Sequence, residues 1–446
     1  MSVCPLDFRY GRQQMKSIFS EEQRLQRLLE VEAALARAHA KLGNIPAADG
    51  EDIAKNATSK MVTLDRVKEI EKEIGHDVMA MVLALSEKCT SSARRYVHLG
   101  ATSSDMLDTA TALQLRDAIT LIEEDTRTAM KVLAALAKKH RDTVMLGRTH
   151  GQAAVPITFG LKMAVYALEM KRHLDRLAEV KKRACVGKMS GAVGTGAAFG
   201  PKALELQKTA MDILGLGYEE ASCQIVGRDR YAEIVSVLAN ICSSAEKFAT
   251  EVRNLQRGEI GEAAEAFGKA KQVGSSTMAH KENPVTSENI CGLARVVRGM
   301  VVPAFEDVVY WHERDLTQSS TERFVIPHTF VLTDDILAKT ADVFSRLRVN
   351  PERMKRNIED TKGQVMSESI MIALVGKGMG RQEAHKLTRD VAMTAREKGV
   401  HLRDALLKDK DVTKLLTAKE IEKALDPSSY IGASGKIVDL VVKTCG

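Results

Sequence analysis

The sequence has few aromatic residues and no closely spaced cysteines. Phe, Trp and Tyr together make up 4% of the 446 residues, so a platform on which nucleic-acid bases stack is not expected. The seven cysteines are scattered along the chain without a Cys-x-x-Cys pair, a distribution that indicates neither a disulfide framework nor a zinc site. We therefore expect a protein of the reducing cytoplasm that binds no metal.

Long apolar runs and an excess of one charge are also missing. No stretch reaches the roughly 18 apolar residues of a membrane helix, and residues 1–10 lack the apolar run of a signal sequence. Lys and Arg number 65 against 59 Asp and Glu, which gives a net charge of +6 that is small for this length. We expect no membrane or nucleic-acid partner, although basic clusters such as Lys181-Lys182-Arg183 keep a helical nucleic-acid-binding scaffold as the non-enzyme alternative.

Proline is rare and unevenly placed, and its distribution predicts long helices. There are nine prolines, with none between Pro46 and Pro156 or between Pro201 and Pro284. These spans are rich in Ala, Leu, Glu, Lys and Met, which favour helix, and continuous β alternation is hard to find. The sequence therefore predicts an all-α fold whose long helices form a bundle.

Three helices are indicated by their own patterns. Ser20 and Gln23 have capping-box spacing, and an apolar stripe at helical spacing runs from there to a glycine stop at Gly43. Residues 105–143 and 231–267 are predicted as further long helices. Such helices carry more apolar surface than a thin monomer buries, so we expect assembly through helix faces.

Two breaks in the helical pattern predict three domains. The first is a Ser-rich and then basic stretch at 92–98, and the second is Asn350-Pro351, which is typical of a helix start. The expected domains are an N-terminal helical domain (1–95), a central helical bundle (96–347) and a C-terminal helical domain (348–446).

Four polar or glycine-rich segments interrupt the helices. They are residues 97–105, 147–152, 187–200 and 274–284. The Thr-Ser-Ser-Asp run of the first is open to interpretation as a simple helix N-cap, and the second as a capped turn. The glycine-dense third segment lacks a phosphate-loop pattern and a preceding strand, so a structural turn is the favoured interpretation there.

The fourth segment is the hardest to explain as a mere connection. It gathers hydroxyl side chains, Lys281 and Asn283 within eleven residues that end at Pro284. A cation, an amide donor and hydroxyls are the groups that an enzyme directs at a carboxylate gaining negative charge. We therefore expect an active-site segment here.

This segment resembles the signature loop of the fumarase/aspartase superfamily, whose usual form is Gly-Ser-Ser-x-Met-Pro-x-Lys-x-Asn-Pro. Ala279 stands where that form has proline, and we expect the loop to be open or poorly ordered without substrate. The resemblance implies a three-domain, all-α fold and a homotetramer with shared active sites. It also implies elimination of fumarate from succinyl-type substrates with no metal and no cofactor.

Within the superfamily, the sequence resembles the adenylosuccinate lyase family most closely. The matching segments are Arg9-Tyr10, Gly75-His76-Asp77-Val78, Thr102-Ser103-Ser104-Asp105, Arg148-Thr149-His150-Gly151, Gln224 with Arg228, and the spaced set Arg314, Ser319 and Arg323. The implied substrates are adenylosuccinate, which yields AMP, and the succinylated aminoimidazole carboxamide ribotide (SAICAR), which yields AICAR.

The resemblance also implies the catalytic roles. Ser276 is the expected base, and it becomes effective only when the loop closes, excludes water and brings Lys281 near. His150 is the expected general acid, and Glu288 is expected to orient it. His76 is expected to bind the succinyl carboxylates or to assist the acid.

The same resemblance assigns substrate binding. Lys281 and Asn283 are expected to hold the carboxylate that gains charge. The implied phosphate group is Arg9, Tyr10, Arg314, Ser319 and Arg323, in which arginine supplies a planar fork of donors. The other implied substrate-binding residues are Gly75, His76, Asp77, Thr102, Ser103, Gln224 and Ser275. His98 and His280 are weaker candidates, and packing is the favoured role for His98.

The enzyme alternatives are other lyases of the superfamily, such as an argininosuccinate lyase or a carboxymuconate cycloisomerase. The spacing of Arg314, Ser319 and Arg323 separates them, because only a phosphorylated substrate needs that group.

Overall fold

A computed structural model describes residues 3–267, 278 and 280–446. Helices make up most of this described part, which confirms the all-α prediction. None of the helices formed by these residues is long and apolar enough to cross a membrane.

The helices are numbered in chain order. Those before the signature loop are α1 (Pro5–Phe8), α2 (Gln13–Ile18), α3 (Glu21–Lys41), α4 (Ala47–Asn56), α5 (Leu64–Ile74), α6 (Asp77–Ser86), α7 (Ser103–Lys139), α8 (Phe159–Ala184), α9 (Ala203–Leu214) and α10 (Asp229–Leu255). Those after it are α11 (Val285–Gly299), α12 (Val301–Glu306), α13 (Thr317–Ser345), α14 (Pro351–Glu359), α15 (Ser367–Gly376), α16 (Arg381–Glu397), α17 (Leu402–Leu406), α18 (Lys410–Leu415), α19 (Ala418–Ala424) and α20 (Ser434–Cys445). Short 3₁₀ helices occupy Ala93–Tyr96, Ala197–Lys202, Gln364–Met366 and Pro427–Tyr430.

The strands form three small two-stranded sheets in the described residues. They are β1 (Val144–Thr149) with β2 (Gln152–Thr158), β3 (Val186–Gly187) with β4 (Gly217–Tyr218), and β5 (Ala263–Ala264) with β6 (Arg348–Val349). The β3–β4 pair is parallel and the other two are antiparallel.

The first predicted helix is confirmed as α3. The Ser20 hydroxyl accepts the backbone N–H of Gln23 at 3.2 Å, a cap that contributes about 1 kcal/mol to helix stability. The helix ends at Lys41, and Gly43 adopts a φ of 75°, the left-handed conformation that commonly follows a helix. The buried face of α3 packs against α4 and α9.

The two longer predictions differ in outcome. The helix expected over 105–143 is present as α7, with ends shifted by two to four residues. The helix expected over 231–267 ends at Leu255, so the prediction is wrong beyond that residue. Gly258 and Gly261 break the pattern, and Gly261 takes a φ of +63° that a helix does not allow.

The β1–β2 hairpin is an element that the sequence reading missed. Its two-residue turn is His150-Gly151, with φ values of 53° and 73°, and Thr149 pairs with Gln152 across it. Positive φ at both central positions is the signature of a type I′ hairpin turn. The alternation signal is weak because β1 buries three consecutive residues and β2 contains Pro156.

The chain divides into two compact units, each made of three separate segments. Unit 1 comprises Met1–Thr126, His173–Ala245 and Gly292–Ala338. Unit 2 comprises Arg127–Arg172, Glu246–Cys291 and Lys339–Gly446. The three-domain division remains a prediction.

Each unit has its own apolar core. One cluster of buried residues in unit 1 includes Leu29, Ile53, Met81 and Leu113. One cluster in unit 2 includes Ile370, Leu374, Leu402, Leu406 and Ile421. Burial of apolar surface at roughly 25 cal/mol per Å² is the main favourable contribution in both.

The predicted helix start at Asn350-Pro351 is confirmed. Pro351 is the first residue of α14, and the Asn350 side chain accepts the N–H of Arg353 at 3.0 Å. Within unit 2, α14 packs against β1 and so supports the hairpin that carries His150.

Candidate active site

Asp105 joins two of the polar segments in unit 1. It is fully buried in the first turn of α7, and its carboxylate accepts the N–H of Thr102 at 2.9 Å, of Ser190 at 3.0 Å and of Gly191 at 3.1 Å. It also forms an ion pair with Lys188, which is equally buried. A buried pair with this many donors fixes the backbone of both segments. The glycine-rich run therefore fits its interpretation as a structural turn.

Unit 1 contains a cavity of about 310 Å³ between α3, α7 and α13. Arg314, Ser319 and Arg323, three members of the predicted phosphate group, line it. Ser104 and Arg228 of the matched segments line it as well, together with three residues that the sequence reading missed: Arg24, Gln318 and Glu322.

Three polar atoms at the wall of this cavity are buried and have no hydrogen-bond partner among the described residues. They are Ser104 Oγ, Arg314 Nε and Gln318 Oε1. Buried polar groups are nearly always paired, so their grouping at one cavity indicates a site for a polar ligand. Ser104 was matched only as part of the Thr-Ser-Ser-Asp segment and Gln318 not at all, because their common location depends on how α7 and α13 pack.

Arg314 is held beside Gln224. Its Nη1 donates a hydrogen bond to Gln224 Oε1 at 3.1 Å, and the backbone N–H of Gln224 donates to the carbonyl of Glu313 at 3.3 Å. Two residues that the resemblance assigned separately to the substrate thus lie in contact. The amide leaves the other guanidinium donors of Arg314 available to an anion.

Arg323 reaches Asp77 at the start of α6. Its Nη2 lies 3.7 Å from Asp77 Oδ2, and Nη2 of Arg24 lies 3.5 Å from the same oxygen. The three side chains are partly exposed, and such ion pairs contribute only about 0–1 kcal/mol. Either arginine is therefore easily released to an incoming phosphate.

His76 is fixed as the N-cap of α6. Its Nδ1 accepts the N–H of Met79 at 3.3 Å, and its Nε2 lies 3.5 Å from Ser103 Oγ. Because Nδ1 is an acceptor, the proton of the neutral ring is assigned to Nε2. The preceding Gly75 has a φ of 69° and ends α5, which turns the chain so that His76 begins the next helix.

A cluster of buried charged residues forms part of the cavity wall. Arg228 donates two hydrogen bonds of 2.9 Å to Asp108 on α7 and one of 2.7 Å to Glu322 on α13. Burial opposes the charge of Arg228, but the two carboxylates outweigh it and raise the pKa of Arg228. Burial raises the pKa of Glu322 to about 7, although Arg228 acts in the opposite direction.

The N-terminal segment is attached to α13. Gly11 has a φ of +85°, and a Cβ at this position would lie 2.3 Å from Val331 Cγ1, so glycine is required there. Arg12 donates from Nε to Asp334 at 2.9 Å and is also paired with Asp125. Arg9 and Tyr10, which directly precede these contacts, belong to unit 1 but are not among the described residues that line the 310 Å³ cavity.

His150 lies in unit 2, exposed at the tip of the β1–β2 hairpin. The hairpin is held by Arg148, which makes two hydrogen bonds of 2.8 Å to the fully buried Glu262. Glu262 also accepts a hydrogen bond of 2.8 Å from Asn357 on α14. Arg148 therefore positions the hairpin, and the imidazole of His150 remains exposed at its tip.

The remaining predicted residues of the loop region also lie in unit 2. Lys281 and Asn283 precede α11, and Glu288 lies in its first turn beside a cavity of about 370 Å³. No hydrogen bond or ion pair joins Glu288 to His150 in the described part of unit 2, so the orienting role stays a prediction. Ser275, Ser276 and the expectation of an open loop fall outside the described residues.

The two weaker histidine candidates, His98 and His280, differ in their burial. His98 Nδ1 lies 2.5 Å from Glu32 Oε1, and both side chains are largely buried. Burial opposes charge on His98, but Glu32 outweighs it and raises the pKa of His98, which fits a packing role. His280 is exposed. No group of three or more metal-ligating side chains occurs among the residues that the structure describes.

Comparison with known families and proteins gives consistent results. A family model described as Lyase matches residues 7–299, and one described as Adenylosuccinate lyase C-terminus matches residues 363–441. The chain is 51% identical over 442 residues to the adenylosuccinate lyase of Pyrococcus abyssi, a match that covers 99% of this chain and 98% of the relative. It is 48% identical over 444 residues to the adenylosuccinate lyase of Methanocaldococcus jannaschii, with 100% and 96% covered.

Solved structures give the same fold. A fumarate lyase from a Mesorhizobium species has a TM-score of 0.89 and 33% identity, over 97% of this chain and 98% of the other. A 3-carboxy-cis,cis-muconate lactonizing enzyme from Pseudomonas putida has a TM-score of 0.89 and 33% identity, over 99% and 98%.

Proposed function

Because the chain belongs to the adenylosuccinate lyase family, we propose that it eliminates fumarate from adenylosuccinate to give AMP, and from SAICAR to give AICAR. The identity of 45–51% to relatives of that name extends over nearly the whole chain. The activity is that of a carbon–nitrogen lyase of purine nucleotide biosynthesis.

The observation that carries the proposal is the arginine-rich cavity of unit 1. Arg314, Ser319 and Arg323 line it together, and Arg314 is already oriented by Gln224. Both proposed substrates carry a ribose phosphate, and guanidinium groups bind phosphate through paired hydrogen bonds. The unpartnered Ser104 Oγ and Gln318 Oε1 at the same wall add polar contacts for the nucleotide.

The reaction breaks a C–H bond and a C–N bond of the succinyl group and forms the C=C bond of fumarate. Ser276 takes the proton next to a carboxylate, which becomes a dianionic aci-carboxylate. Lys281 and Asn283 stabilise the added charge. The C–N bond then breaks, and His150 donates a proton to the departing amino nitrogen. The Nε2–H of His76 donates a hydrogen bond to a succinyl carboxylate, because the capping role uses only Nδ1.

The assembly that we propose is a cytoplasmic homotetramer with three domains in each chain and active sites shared between subunits. Two groups of site residues lie in different units of the chain: His76, Arg314 and Arg323 in unit 1, and His150 and Lys281 in unit 2. Each site takes its residues from several subunits, so that even two residues of the same unit, His150 and Lys281, reach one site from different chains. The catalytic steps above need no metal and no organic cofactor.

A second candidate is a carboxymuconate cycloisomerase, because the 3-carboxy-cis,cis-muconate lactonizing enzyme of Pseudomonas putida has the same fold at 33% identity. Two observations favour the lyase: the match of residues 363–441 to the adenylosuccinate lyase C-terminus, and the phosphate-suited cavity. A carboxymuconate substrate has no phosphate for that cavity to bind.

The test is an absorbance assay of the purified protein with adenylosuccinate, followed by identification of AMP and fumarate. Parallel reactions contain SAICAR and 3-carboxy-cis,cis-muconate. We expect turnover of both succinylated nucleotides and none of the muconate. Turnover of the muconate alone would reject the proposal in favour of the cycloisomerase.

A further inference from the structure

Unit 2 contains a cavity that is lined by none of the predicted site residues that the structure describes. Its volume is about 470 Å³, and its walls come from α15, α16 and the 3₁₀ helix before α15. This is the size range of small-molecule sites. The Gln364 side chain donates a hydrogen bond to the carbonyl of Ala392 at 3.2 Å, which ties the two walls together, so the cavity is formed without a ligand.

Basic side chains dominate one wall. Arg381, His385 and Arg389 follow each other at intervals of four residues on α16 and line the cavity with Arg396. Residues four apart lie on the same helix face. Of the described residues that line this cavity, only Glu368 carries a carboxylate. The excess of positive charge favours an anionic ligand.

The spacing of these basic side chains favours an extended anion. Arg381 and Arg389 are separated by about 12 Å along the helix axis at 1.5 Å per residue. Arg389 is 3.2 Å from its exposed neighbour Asp390, a weak surface contact that a ligand phosphate displaces easily. A chain of phosphates reaches both arginines and the intervening His385, whereas a single phosphate engages only part of the row.

Thr388 provides a second, independent sign of a ligand. It lines the same cavity and is 3% exposed, and its Oγ1 has no hydrogen-bond partner among the described residues. A helical threonine usually bonds its hydroxyl to the carbonyl one turn earlier, and buried hydroxyls are rarely left unpaired. A polar atom of a ligand in the cavity would supply the partner.

Two methionines supply an apolar and adaptable part of the lining. Met371 and Met393 lie beside the basic side chains, and Met393 is 54% exposed. Methionine packs readily against flat or irregular apolar groups. The ligand is therefore expected to combine phosphates with an apolar, planar part.

We propose that this cavity binds a nucleoside triphosphate, with the phosphates on Arg381, His385 and Arg389 and the nucleoside against Met371 and Met393. The site goes beyond the proposed lyase activity, because it shares none of the residues assigned to that reaction. A nucleotide that is neither substrate nor product would bind there as a regulatory ligand.

The test is calorimetric titration of the full-length protein with ATP, with AMP present at saturation so that the proposed substrate site is occupied. Inorganic tripolyphosphate is titrated in parallel. We expect ATP to bind once per chain and more tightly than tripolyphosphate. The double variant Arg381→Gln, Arg389→Gln should bind ATP at least tenfold more weakly. The matched control is Lys386→Gln, which removes one exposed charge from the same helix outside the cavity lining and should leave ATP affinity unchanged.

Thr388→Val separates binding from folding. Because the hydroxyl has no partner in the free protein, its replacement by an isosteric methyl should leave the melting temperature unchanged or raised. ATP affinity should nevertheless fall severalfold. A lower melting temperature with unchanged ATP affinity would contradict the role of Thr388.

Four outcomes overturn the proposal. The first is absence of ATP binding at millimolar concentration, and the second is an equal loss of affinity in Lys386→Gln. Equal affinity for tripolyphosphate and ATP rejects the nucleoside part. A changed oligomeric mass of the arginine variants, measured by light scattering, identifies the face as an interface between copies of the chain.

Discussion

Arg314 and Gln224 lie 90 residues apart in the sequence, and a hydrogen bond of 3.1 Å joins them. The amide oxygen fixes one branch of the guanidinium, so Arg314 is oriented before any ligand arrives. Pre-orientation reduces the entropy that a long side chain loses on binding. This contact brings together two positions that we propose to belong to one substrate site.

Replacing Arg314 by alanine should weaken nucleotide binding by about 1.5–3 kcal/mol, the scale of a hydrogen bond to a charged group. Calorimetry with AMP measures the loss. The matched control is Arg37→Ala, a surface arginine of the same unit paired with Glu51, which should leave AMP affinity unchanged. The phosphate-free analogue succinyladenosine should lose much less affinity, and an equal loss for both ligands would place Arg314 away from the phosphate.

Replacing His150 should remove the general acid. The turn geometry selects the variant: His150 has a φ of 53° and precedes Gly151, and asparagine tolerates this conformation better than most residues. His150→Asn therefore keeps the hairpin and deletes the imidazole. We expect turnover to fall about 100-fold or more while adenylosuccinate binding largely survives. Turnover near the wild-type rate, with an unchanged melting temperature, would remove His150 from this role.

Features set by local sequence could be predicted, whereas features set by packing could not. The Ser20 cap and the Asn350-Pro351 start follow from neighbouring residues and are present as expected. The β1–β2 hairpin was missed because His150-Gly151 is not one of the usual type I′ turn sequences. The end of α10 was placed too late because the two glycines that stop it lie within an otherwise helical composition.

The candidate site shows the same limit. Its motif residues, Arg228 among them, were recognised by resemblance, but the contacts of Arg228 with Asp108 and Glu322 were not. Arg228 lies 120 residues from Asp108 and 94 residues from Glu322 in the sequence. No local sequence pattern therefore predicts these two contacts. The unpartnered hydroxyl of Ser104 and amide of Gln318 acquire meaning only when α7 and α13 pack against each other.

Glu322 should make stability depend on pH near neutrality. Burial raises the pKa of Glu322 from its usual 4.5 to about 7, so the folded state binds more protons than the unfolded state between these values. The contribution of Glu322 is fully present below pH 4.5 and is lost as pH rises through 7. Glu322→Gln mimics the protonated form, so the variant should gain stability relative to wild type as pH rises, by at most on the order of 3 kcal/mol.

Denaturant unfolding of both proteins between pH 4.5 and 8 measures this difference. Titrating groups that do not interact with Glu322 are the same in both proteins and cancel. A difference that stays flat, or that moves in favour of the wild type at high pH, would mean that Arg228 keeps Glu322 ionised.

The last prediction concerns the sharing of sites between subunits. If each site takes His150 and Lys281 from different chains, two inactive proteins, His150→Asn and Lys281→Ala, should complement each other. After subunit exchange in an equal mixture, about a quarter of the sites should receive both native residues, as follows for independent subunits of a symmetric oligomer. Activity should then recover to about that fraction of the wild-type rate. The control is a chain with both substitutions, mixed in equal amounts with His150→Asn: no site there has both native residues, so no activity should appear. Exchange is verified by mass measurement of differently tagged chains, and verified exchange without recovery would show that a single chain supplies both residues.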